Sequence, residues 1–129
     1  MATQIADLWG RFEPAEVRTP LSILRQQAAL LGDKTNHLVE ARVNTYALGP
    51  NIYHAFNLVV PALEDYTYQL FRVSHGVELY PVSANSTEGH LQWHRELENE
   101  EAFVGWLSSS FSSEATKRII STLMAQAAG

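Results

Sequence analysis

Between residues 39 and 47 apolar and polar side chains alternate, with Val39, Ala41, Val43 and Ala47 set against Glu40, Arg42 and Asn44. A period of two puts the sets on opposite sides of an extended chain, so the stretch predicts a strand buried on one face. Gly49-Pro50-Asn51 supplies a turn. Residues 52–61 are apolar at both parities around Phe56, Leu58, Val59 and Val60. They predict a central strand covered on both faces, ending at Pro61, which has no ladder donor. Residues 66–73 and 77–82 are rich in aromatic and β-branched side chains and flank Ser74-His75-Gly76. This predicts a hairpin whose corner places Gly76 at positive φ. Small polar residues at 83–89 read as a loop. Leu91, Trp93, Arg95 and Leu97 alternate with His90, Gln92, His94 and Glu96, as a fifth strand or a short helix.

On either side of this block the period becomes helical. Thr19 before Pro20 is a strong helix start, because the threonine oxygen caps free N–H groups and proline forfeits only an unpaired donor. Leu21, Leu24, Ala28 and Leu31 then line one side, and Gly32 is placed to end the helix. After Glu98, Asn99 caps a second helix, with Glu100 and Glu101 at its positive end and Phe103, Trp106 and Leu107 on one face, closed by the serines at 108–110. Ser112 or Ser113 caps a third, whose apolar face is Ile119, Ile120, Leu123, Met124 and Ala127. Near the start, Ile5, Leu8, Trp9 and Phe12 have i, i+3, i+4, i+7 spacing, predicting a short amphipathic helix closed by Pro14. Its stripe either packs on the domain's own core or makes residues 1–15 a partner-binding or dimer-exchanging arm. The order predicts an α+β fold: an N-terminal helix, an antiparallel sheet of four to five strands in meander order, and two C-terminal helices packed on the sheet. Residues 1–129 are expected to form a single domain, since a chain of this length buries one core comfortably.

Charge and composition narrow the functional classes. The net charge is −5 and the basic residues are scattered apart from Lys117-Arg118, so no stripe is present to neutralise a phosphate backbone, and nucleic acid is not an expected partner. The shortage of Lys and Arg also disfavours anionic lipid surfaces. No apolar run approaches the roughly 20 residues that cross a bilayer, so no membrane is expected. Cysteine is absent, which removes disulfides, thiolate nucleophiles and cysteine-held metals. With no signal-peptide pattern at the start, a cytoplasmic location is expected.

The residues suited to acid–base or metal chemistry are the five histidines. His90 and His94 share a face in either conformation but converge on one ion only in a helix, and the His-Glu-x-x-His pattern is missing. No metal or cofactor is therefore expected, and a zinc site there is the outlying reading. His54 and His75 lie in or beside strands carrying Tyr53, Tyr66, Tyr68 and Tyr80. They suggest a pocket of His54, Tyr68 and His75 between sheet and helices, fit for a small-molecule binder or small enzyme. No nucleophile elbow, dinucleotide fingerprint or Walker loop occurs, and no catalytic residue is assigned. Open sheet edges, the N-terminal stripe and three tryptophans in a small acidic chain favour self-association as a homodimer. The leading expectation is a non-catalytic protein-binding, adaptor- or chaperone-like domain whose contact residues are Ile5, Leu8, Trp9 and Phe12.

Overall fold

The computed structural model describes residues 4–86 and 93–129. Helix α1 (Pro20–Lys34) leads into strands β1 (Glu40–Leu48), β2 (Asn51–Val60), β3 (Tyr66–His75), β4 (Val82–Ser86) and β5 (Trp93–Leu97). Helices α2 (Glu100–Phe111) and α3 (Glu114–Ala128) follow. The strands form one antiparallel sheet in the order β1-β2-β3-β4-β5, each pairing with its sequence neighbour. The α+β architecture read from the pattern is the one observed.

The helix starts behave as capping chemistry dictates. Thr19 accepts from the Ser22 N–H at 3.1 Å, Asn99 from Ala102 at 2.8 Å and Ser113 from Thr116 at 3.2 Å. Two helices run past their expected ends. α1 continues through Gly32 to Lys34, and the left-handed residues are Asn36 (φ 52°) and His37 (φ 64°) instead. Gly32 is small because the Glu40 side chain lies where its Cβ would be. α2 continues through the serines to Phe111, whose ring packs 5.2 Å from that of Phe56.

The covered face of the sheet carries the core. Phe56, Leu58, Phe71, Val73, Val82 and Ala84 are buried together with Leu24 of α1, Phe103 and Leu107 of α2 and Leu123 of α3. One register irregularity makes this possible. Phe56 pairs with Phe71 and Asn57 with Gln69, so Leu70 is an extra residue in β3. A bulge lets two consecutive side chains serve one face, and Leu70 and Phe71 both join the core, which the alternation of β3 alone would forbid.

Two expectations are corrected. Residues 5–12 are not helical, and Ile5, Leu8, Trp9 and Phe12 are 74–83% exposed, so the stripe does not pack on the core. A two-turn helix lies below the length at which isolated helices persist, and Gly10, at φ 75°, weakens it further. Residues 77–81 form no strand: β3 runs on through His75, Val77 is 92% exposed, Gly76 does not take positive φ, and β4 begins at Val82 and runs through 83–86, read from sequence as loop. Pro81, which lacks an N–H, separates the two. Of the two forms expected for the next stretch, residues 93–97 take the fifth strand.

Candidate functional site

A cleft of about 620 Å³ lies between α1 on one side and α2 and α3 on the other, with the sheet as its floor. Phe56, Leu58 and Leu70 form the floor, Ile23, Leu30 and Leu31 one wall, and Val104, Leu107, Phe111 and Ile120 the other. Its polar groups sit among these apolar walls: Gln27 and Lys34 on α1, Ser108 on α2, Ser112 at the α2–α3 turn and Lys117 on α3. Leu30 of α1 and Val104 of α2 both line the cleft and keep 43% and 41% of their surface in solvent. Both lysines are exposed, and among the described residues neither makes an ion pair. An apolar trough flanked by amphipathic helices and carrying cations suits the apolar face of another helix.

His54 and His75 meet on the covered face beside this core. His54 on β2 is opposite Val73, and His75 is opposite Ile52, so the two imidazoles occupy neighbouring positions on adjacent strands. Their Nε2 atoms are 2.9 Å apart, and only 2% of His54 and 7% of His75 is exposed. The network assigns the protons. His75 Nδ1 lies 2.8 Å from the Gly76 carbonyl oxygen, which only accepts, so that nitrogen carries hydrogen. One hydrogen is shared between the two Nε2 atoms, and the Thr45 hydroxyl completes the set 2.9 Å from His54 Nδ1. Burial, then the neighbouring His75 ring and the Arg25 charge, push His54 down to about 4. All four ring nitrogens are engaged within the fold. Tyr68 pairs across to Leu58, four residues along β2 from His54 and about 13 Å away at the rise of a strand, so it does not join the pair.

No family model, curated protein or solved structure matches this chain.

The opposite face of the sheet is polar. Tyr46 and Tyr53 stack at 5.3 Å, the Arg72 guanidinium lies 5.0 Å above Tyr53, and Arg72 donates to the Tyr46 hydroxyl at 3.1 Å. The predicted histidine cluster resolves here as well. His94 lies on extended β5 and contacts Glu96 at 3.0 Å, while Ser83 donates to the same carboxylate at 2.7 Å. The Ser83 hydrogen bond and then His94 lower Glu96 below the usual carboxylate range. His90 lies outside the described residues, and among those described no group of three metal-ligating side chains occurs. No described helix is long and apolar enough to cross a membrane.

Of the residues singled out from sequence, Ile5, Leu8, Trp9 and Phe12 stand in solvent, and His54 and His75 come together without Tyr68. The cleft itself had no motif to find. Its floor and walls come from five separate elements, and the one local signal was excess: α1 carries Leu30 beside Leu31, and α2 carries Val104 beside Phe103, more apolar surface than one buried face requires.

Proposed function

We propose that this chain is a non-catalytic protein-binding domain of adaptor or chaperone-like character. It acts in the cytoplasm as a homodimer and receives an amphipathic helix in the cleft between α1 and the α2–α3 pair. The observation that carries the reading is the apolar trough of about 620 Å³ with Leu30 and Val104 exposed along it. Helix-in-groove recognition needs a hydrophobic channel long enough for i, i+3, i+4 and i+7 anchors. Ile23 to Lys34 on α1 spans about 17 Å at 1.5 Å per residue, enough for three helical turns. The lysines favour a helix with acidic residues beside its apolar stripe. The histidine pair supports a structural role in preference to acid–base chemistry, because its nitrogens are occupied and its rings are buried.

The test is fluorescence anisotropy with a panel of labelled amphipathic helical peptides that vary the charge of the polar face. Acidic members should bind more tightly than basic ones, and Val104→Glu should abolish binding while the melting temperature stays within a few degrees. Binding by no member, or unchanged binding by Val104→Glu, would overturn the reading.

A further inference from the structure

We infer that the occupant of the cleft is the N-terminal arm of a second copy of this chain, exchanged reciprocally in a twofold dimer; this rests on the helix-binding reading above. The arm carries the anchors such a cleft requires. Ile5, Leu8, Trp9 and Phe12 fall on one stripe when wound as a helix, and each is at least 74% exposed in the isolated chain. As a helix, the eight residues 5–12 span about 12 Å at 1.5 Å per residue, within the length of the cleft.

Charge agrees. Asp7 lies off the stripe and, with Glu13 and Glu16 just beyond it, outweighs the single cation Arg11, whereas the cleft carries Lys34 and Lys117. Area agrees as well. Aromatic side chains bring about 150–250 Å² each. With Ile5, Leu8 and the matching cleft surface counted for both arms, reciprocal exchange exceeds the roughly 1,000 Å² of a specific interface.

The hinge selects the neighbour over the parent chain. Residues preceding proline favour extended backbone, and both Glu13 and Thr19 precede one. Thr19 is extended, at φ −80° and ψ 156°, and Arg18 is held to Glu100 of α2 at 2.7 Å, which fixes the root of the arm. From that root the chain bends at Glu16 and Val17 and leaves Ile5, Leu8, Trp9 and Phe12 in solvent instead of in the chain's own cleft. Exchange of an identical element in this way is a low-cost route to a dimer. The arm winds into helix as it docks, because the cleft supplies the burial that an isolated two-turn helix lacks.

The test measures mass by light scattering on the full chain from about 5 to 200 μM and repeats it on two variants. Wild type should be a dimer, whereas Trp9→Ala/Phe12→Ala and Val104→Glu should each be monomeric, with helical circular dichroism reduced only by the short helix that the undocked arm no longer forms. Mixing the two variants should restore a 1:1 heterodimer, since one retains its cleft and the other its arm. A wild-type monomer throughout the range, or dimers that survive in both variants, would overturn the exchange. A synthetic peptide of residues 4–14 titrated onto the arm variant separates the two levels. If it binds there and not to Val104→Glu while wild type is monomeric, the helix-binding reading stands and the exchange falls. If it fails to bind, the exchange falls, and the peptide panel above decides the reading by itself.

Discussion

Lowering the pH from 7.5 to 5 should weaken the fold through His54. The ring is 2% exposed and titrates near 4 in the folded protein, against about 6.5 in an unfolded chain. Between these values the unfolded chain takes a proton that the folded chain refuses, so stability is complete above about pH 6.5 and declines as the pH falls toward 4. At about 1.4 kcal/mol per pH unit, the full gap corresponds to about 3 kcal/mol, of which about 2 kcal/mol is lost by pH 5. That is a large share of the roughly 5–15 kcal/mol typical of a domain. The assay is urea denaturation followed by tryptophan fluorescence, since Trp106 packs on Phe71 with centroids 4.9 Å apart and reports on the core. The reference is His54→Gln, whose amide can still donate toward His75 but does not titrate. Wild type should lose about 2 kcal/mol more than the variant between pH 7.5 and 5. Parallel curves for the two proteins would refute a buried, neutral His54 as the source of acid sensitivity.

Phe103→Ala should cost about 3–5 kcal/mol in chemical denaturation, because the ring is fully buried against Tyr80 and Trp106 and its loss leaves a cavity. Asn99→Ala should cost about 1 kcal/mol by removing the α2 cap, with Asn99→Asp close to wild type in the same assay. Ser83→Ala should raise the Glu96 pKa toward its ordinary value in a carboxyl NMR titration, since the serine hydrogen bond is the main cause of its depression. Trp9→Ala/Phe12→Ala should change the unfolding free energy by less than about 0.5 kcal/mol when compared with wild type diluted until it is monomeric, since neither side chain packs on the core of its own chain.

Period and capping made most of the fold legible. The alternation from Val39 identified β1, Thr19 and Asn99 marked two helix starts that the hydrogen bonds reproduce, and of Ser112 and Ser113 the second caps the third helix. What escaped depended on tertiary context. Val77 to Pro81 has β-forming composition, but the ladder donors that would continue the hairpin are supplied by β4, so those residues bow out of the sheet. Gly32 read as a stop signal because glycine ends many helices; here its small size accommodates Glu40. The stripe at Ile5 to Phe12 has helical spacing, yet spacing alone does not hold two turns together in water. The meeting of His54 and His75 required the β2–β3 register, which turn composition did not fix, and the cleft required the packing of three helices over one sheet.

The strictly sequential pairing of the five strands also governs how the chain is made. Each strand joins the one just before it, so the loops to be closed are short and the sheet can assemble as the polypeptide emerges from the ribosome. Its lid arrives last. α2 and α3 cover Phe56 and Phe71 from the far end of the chain, and at roughly 5–20 residues per second they follow β3 by several seconds. During that interval α1 alone covers the sheet and the rest of its apolar face is open, so synthesis of α2 and α3 is the step at which that face is closed against aggregation.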